Sequence, residues 1–148
     1  MKTIIKFGLY ILTGLLVCSC KSSIPSAQVN YLSERDGSIN VRSVGVGKTK
    51  DAAKANAEIN GIDVLLFRGL PESSQKTPLL GYNESEIRKQ YDNYFKQMYE
   101  NKRYLTFVMS SQPVSDYSKE RVSVEVKINL RALRSDLEGQ GLIRKFGY

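Results

Sequence analysis

The chain has 148 residues, with 22 Lys and Arg against 15 Asp and Glu, a net charge of +7, two cysteines, and neither histidine nor tryptophan. Such a length is one domain's worth and can bury a sizeable core without a disulfide or metal. Both cysteines, Cys18 and Cys20, lie near the amino terminus. The chain beyond them therefore lacks the histidine base, the thiol nucleophile and the Cys/His zinc ligands on which much enzyme chemistry rests. The basic residues are scattered rather than clustered, which reads as solubility and argues against nucleic acid.

The first element is a targeting segment. Lys2 and Lys6 precede an apolar run, Phe7 to Val17, of 11 residues, well short of the roughly 20 that span a bilayer and laid out like a secretory signal peptide. The run ends in Val17-Cys18-Ser19-Cys20. These four residues resemble the lipobox of bacterial lipoproteins, with Val17 at −3, Cys18 at −2, Ser19 at −1 and Cys20 as the lipidated residue. Lipidation at Cys18 instead would put Val17 at −1, where a small residue is expected. The resemblance implies cleavage before Cys20 and a membrane anchor made of acyl chains. Lys21 in place of an acidic residue implies sorting to the outer membrane, and the absence of an acidic cluster after Cys20 favours a periplasmic face. The expected organisation is a signal peptide over residues 1–19, a lipidated cysteine and flexible tether over 20–37, and one domain over 38–148. Without Lys2 and Lys6 the exported part keeps 20 basic residues against 15 acidic, a mild positive balance.

In the tether, polar residues and Pro25 leave room for only a short strand around Val29 to Leu32. Asp36-Gly37 signals a turn. Ile39, Val41, Val44 and Val46 alternate with a change of phase near Ser43, which predicts a strand with a bulge. Gly45-Val46-Gly47-Lys48-Thr49 looks like the tail of a phosphate-binding loop. Arg42, however, stands where that motif needs its first glycine, so no nucleotide is expected. Thr49 is instead the cap of a helix over Lys50 to Phe67, with Ala52, Ala55, Ile59, Ile62 and Leu66 as its buried stripe. Small residues in its first half (Ala52, Ala53, Ala55, Ala57) would let it lie close to a sheet.

Gly69 to Gly81, with Pro71 and Pro78, is a loop. Asn83 with Glu86 reads as a capping box for a second long helix, Glu84 to Asn101, carrying Ile87, Tyr91, Tyr94 and Met98. Seven aromatic residues fall between Tyr82 and Phe107. Tyr91, Tyr94 and Phe95 are expected in the core, whereas Tyr82 and Tyr99 are candidate exposed contacts for a protein or a glycan. Tyr104 to Ser110 alternates as a second strand, and Gln112 to Lys119, broken by Pro113, connects it to a third. In that third strand, Arg121 to Asn129, Val122, Val124, Val126 and Ile128 face one way, and Ser123, Glu125 and Lys127 face water. Leu130, Leu133 and Leu137 form a short last helix stopped by Gly139 and Gly141. The tail beyond, with Arg144, Lys145 and Tyr148, either docks on the core or offers a basic-aromatic hook.

One wet and one buried sheet face predict an α+β fold, with a three- to four-stranded antiparallel sheet and two long helices plus a short C-terminal helix packed on one face. A strand ending in Gly-x-Gly (Val44 to Gly47) precedes a helix with Ala52, Ala53, Ala55 and Ala57, and Val122 to Leu133 lies at the far end. This arrangement resembles the LPP20 lipoprotein family, which shares its domain with the amino-terminal part of the flagellar outer-membrane protein FlgT. The long middle segment and the shorter alanine run depart from that family. The resemblance implies an α+β fold and a non-catalytic role in the cell envelope, and it supplies no catalytic residue. The carboxylate pairs Glu84/Glu86 and Asp136/Glu138 read as solvated helix ends. The expected protein is not an enzyme and uses no cofactor, metal, nucleotide or nucleic acid. It meets the membrane through Cys20 and acts as an accessory or scaffold for other envelope proteins. The alternative is a glycan- or peptidoglycan-binding module using exposed tyrosines and basic residues.

Overall fold

Asp36 and Gly37 take positive φ angles, 54° and 75°, as a two-residue hairpin turn requires to match the twist of its strands. They join β1 (Val29–Arg35) to β2 (Ser38–Val46) as an antiparallel pair. The computed structural model describes residues 28–118 and 120–145. The signal segment, Cys20 and Tyr148 lie outside these described residues. β1 takes up much of the segment expected as tether, so the sheet begins at Val29.

β2 runs beside β4 (Arg121–Asn129) without interruption, from Ser38 opposite Asn129 to Val46 opposite Arg121. The bulge expected near Ser43 is therefore absent, and the irregularity falls in β1, between Tyr31 and Ser33. Ile39, Val41, Ser43 and Gly45 are all buried, opposite buried Ile128, Val126, Val124 and Val122. The strand keeps its phase. At Ser43 and Gly45 the buried face demands small size rather than hydrophobicity, and the alternation of large apolar residues misses that.

The demand comes from α1 (Lys50–Phe67). A Cβ on Gly45 would lie 2.0 Å from the Ala53 carbonyl oxygen and 2.4 Å from the Ala57 backbone nitrogen. Helix and strand thus meet backbone to backbone, a close approach that only glycine permits. Gly61 continues the seam, where a Cβ would sit 3.2 Å from Val41 and 3.3 Å from Ile128. The buried stripe is Ala53, Ala57, Gly61 and Leu65, flanked by Ile62 and Leu66. Ala52, expected in that stripe, is exposed, and Ala55 and Ile59 are half-buried. Thr49 caps the helix as expected, its Oγ1 accepting from the Ala52 N–H at 3.1 Å. Two amides on α1 complete the strand: the Val46 N–H donates to Asn56 Oδ1, and Asn60 Nδ2 donates to the Val44 carbonyl, both at 2.9 Å. They supply partners to β2 beyond the start of β1, where ladder bonds run out.

After the loop, the second long helix is broken into α2 (Glu84–Gln90) and α3 (Asp92–Tyr99), with Tyr91 at φ −113°, ψ 38° between them. The capping box is not formed, since Asn83 makes no side-chain cap and bonds the Glu86 carboxylate instead. A 3₁₀ turn, Arg103–Thr106, replaces the start of the expected strand. β3 (Val108–Ser118) then runs through Pro113 and precedes β4 in the chain. The sheet is antiparallel throughout, in the order β1-β2-β4-β3. Proline is tolerated because β3 is an edge strand. Its register shifts three times, between Val108 and Ser110, Pro113 and Ser115, and Asp116 and Ser118.

α4 (Leu130–Gly139) is capped by Asn129, whose Oδ1 accepts from the Ala132 N–H at 2.9 Å. It ends with Gly141 at φ 72° and paired bonds from Leu142 N to Leu137 O and from Gly141 N to Glu138 O, a Schellman termination. Leu133 and Leu137 are fully buried, and Leu142 and Ile143 pack on the core. The fold is α+β, with a four-stranded antiparallel sheet and four α-helices among the described residues.

Gly45→Ala should destabilise the chain by about 3 kcal/mol or more, because the added methyl meets backbone atoms that cannot rotate away. Urea unfolding measures it, and a loss below about 1 kcal/mol would contradict the close seam.

Candidate functional site

The aromatic run divides by depth. Tyr94, Phe95, Tyr104 and Phe107 are buried, Tyr91 and Tyr99 half-buried, and Tyr82 is 75% exposed. Tyr99 is thus not the open contact expected of it. Its ring stacks on Phe95 at 6.0 Å and 8° between planes, and its hydroxyl donates to Asp63 Oδ1. A tyrosine can bury its ring while its hydroxyl finds a polar partner, so helical spacing alone does not reveal its depth.

Around Tyr99 lies an arginine cage. The Arg88 guanidinium carbon sits 4.9 Å from the Phe67 ring, 5.1 Å from Phe95 and 4.9 Å from Tyr99. Its Nη2 donates to Asp63 Oδ2 and its Nε to Glu84 Oε1, each at 2.9 Å. Aromatic faces attract the cation, and the two carboxylates balance it. Burial pushes the Asp63 carboxyl above its ordinary range, with Arg88 and the Tyr99 hydroxyl offsetting part of that rise. Burial alone would lower Arg88, but Asp63, Tyr99 and Glu84 together outweigh it and the guanidinium holds its proton more tightly than usual. Burial, then the Asp63 charge, also raises the Tyr99 phenol.

The same grouping recurs twice. Asp136 accepts from the Tyr94 hydroxyl at 2.9 Å and from Arg103, whose guanidinium lies 5.6 Å from the Tyr94 ring. Burial and the Asp136 bond raise Tyr94. Glu58, 4% exposed, pairs with Lys54 at 2.9 Å and hydrogen-bonds Tyr104, whose phenol rises chiefly through burial. Each sunken carboxylate is met by one cation and one tyrosine. Asp136 is therefore no solvated helix end. These groupings escaped the sequence reading because the partners lie far apart along the chain, 25 residues from Asp63 to Arg88 and 42 from Tyr94 to Asp136.

Such paired carboxylates tie together elements that are distant along the chain. Among the described residues, no group of three or more His, Cys, Asp or Glu could hold a metal ion. Arg144 and Lys145 are exposed beyond α4, and among the described residues no hydrogen bond or ring contact joins them to Tyr82. One groove, of about 390 Å³, opens where α2 meets α3 and the end of α4, lined among others by Gln90, Tyr91, Asn93, Gln97, Gln140 and Leu142. None of these was a candidate from the sequence except Tyr91, which was read as core. No family model, curated protein or solved structure matches this chain.

Arg88→Met should cost about 2 kcal/mol, a discounted value because the Arg88 and Asp63 side chains keep 29% and 22% of their exposure. Arg88→Met with Asp63→Leu should recover at least half of that loss in urea unfolding, since no charge is then stranded. The Asp63 carboxyl also carries a pH signature. With its folded pKa above the ordinary 3.8, the folded chain binds this proton more tightly than the unfolded chain. Its contribution is full below the ordinary value and is lost as pH rises through the raised one. The stability difference between the native chain and Asp63→Asn should therefore fall with rising pH across that window, and a rise would contradict the assignment.

Proposed function

We propose that this protein is a lipid-anchored envelope lipoprotein that works by contact rather than by chemistry, as an accessory or scaffold in a cell-envelope assembly. The observation that carries the reading is Val17-Cys18-Ser19-Cys20 at the end of a basic, then apolar, leader. Acyl chains on Cys20 would hold the chain to a bilayer durably, since each buried methylene contributes about 0.8 kcal/mol and two or more chains act together. Two features of the folded part are consistent with it. No described helix is long and apolar enough to cross a membrane. The sunken carboxylates are committed to ion pairs and tyrosines, which favours a passive body. The resemblance to LPP20-type domains rests on the Gly45 strand end and the alanine-bearing face of α1, which meet in a backbone-close seam. Lys21 after the anchor favours the outer membrane, with the domain facing the periplasm.

Cys20→Ala should stop processing and leave an unacylated chain outside the lipid-modified fraction, read by labelled palmitate uptake and by the mass of the amino-terminal fragment. A native amino terminus without acyl mass would overturn the proposal.

A further inference from the structure

We propose that the groove between α2, α3 and the end of α4 binds an uncharged stretch of amino-sugar oligosaccharide, that is, pyranose rings bearing hydroxyls and N-acetyl amides. The groove's volume, about 390 Å³, falls in the range of small-molecule sites, roughly 300–1,000 Å³. Its lining is set by amides. Gln90, Asn93, Gln97 and Gln140 converge on it and are all exposed. Among the described residues, the side chains of Asn93, Gln97 and Gln140 make no hydrogen bond, and Gln90 makes only a long one, 3.4 Å, to the Tyr91 hydroxyl.

An amide side chain offers two donors and two acceptor sites. That matches a sugar hydroxyl, which both donates and accepts, and an N-acetyl group, which is itself an amide. Asn93 and Gln97 stand one helical turn apart on α3, so both can reach neighbouring groups of one ring. Tyr91 and Leu142, half-buried at the groove, give the apolar surface that the C–H face of a pyranose covers.

Charge narrows the choice. Asp92, which also lines the groove, is paired with Lys96 at 2.7 Å, so the nearest charges offset each other. The lining is dominated by amides rather than by a net charge that would select a phosphate, a carboxylate or a metal ion. An apolar ligand would strip water from four amides without replacing their hydrogen bonds. A peptide has matching groups, but here the amides come from three separate elements, Gln90 on α2, Asn93 and Gln97 on α3 and Gln140 at the end of α4. No exposed strand edge lies among them to pair with a peptide backbone.

The test uses the full-length protein in a detergent without a sugar headgroup. It is titrated with triacetylchitotriose and followed by backbone amide shifts. Saturable shifts should centre on Asn93, Gln97 and Gln140. Asn93→Ala with Gln97→Ala should weaken binding about tenfold or more, two neutral hydrogen bonds being lost. Alanine suits exposed helix positions, and an unchanged melting midpoint verifies that the variant folds. Maltotriose, which lacks the N-acetyl groups, should bind more weakly. Absence of saturable shifts, shifts centred elsewhere, or undiminished binding by the double variant overturns the site. Equal binding of maltotriose, or tighter binding of an uncharged Gln/Ser hexapeptide, overturns the amino-sugar assignment. None of these outcomes bears on acylation of Cys20, so this proposal and the anchor stand or fall separately.

Discussion

The structure depends on one distance, that between the backbone of β2 at Gly45 and the backbone of α1 at Ala53 and Ala57. Dispersion falls off steeply with separation, so a seam with no side chain in it gains contacts that a thicker one would lose. The short distance has downstream effects. It brings Asn56 and Asn60 within reach of the end of β2. It also fixes the far half of α1, so that Asp63 and Phe67 stand where α2 and α3 can close over them. A thicker seam would still bury Ile39 and Val41 but would move every partner built on α1.

Electrostatics then pins what packing has brought together. Glu58, Asp63 and Asp136 lie on α1 and α4, and their cations and tyrosines come from α1, α2, α3 and the 3₁₀ turn. A buried ion pair recovers little more than its own desolvation, so these groups add modest net stability. Their effect is geometric. A helix that slid by one residue would strand a carboxylate, and the cost of stranding it exceeds the benefit of forming the pair. The raised Asp63 pKa shows the tension directly, because burial still outweighs a guanidinium and a phenol that both favour the charged form.

Features set by local chemistry could be read from the residues themselves. The Asp36-Gly37 turn, the Thr49 cap, the extent of α1, the inward side of the Val122 to Ile128 alternation and the Gly141 stop each rest on neighbours within a few positions. Ser123, expected to face water, is only 1% exposed. What stayed hidden was decided at a distance. Ser43 looked like a break in phase because its size, not its polarity, suits the helix above it. Tyr91 interrupts a helix whose apolar spacing continues unbroken on both sides, with no glycine or proline to mark the place. Pro113 reads as the end of a strand until the edge position of β3 is known. Arg88 gave no sign of its cage, and the groove is assembled from residues up to 52 positions apart, Gln90 and Leu142, which no motif joins.

The outer strands bear on how copies of this chain can crowd. β3 carries three register shifts and a proline with no N–H to offer, so its rim is crooked and short of donors. On the opposite rim β1 has its own irregularity at Tyr31 and Ser33, and Glu34 is held by Ser74 from the loop after α1. Neither rim offers the straight row of free amides and carbonyls onto which another strand would zip. At high density such rims disfavour growth of the described sheet by addition of a strand from a second copy.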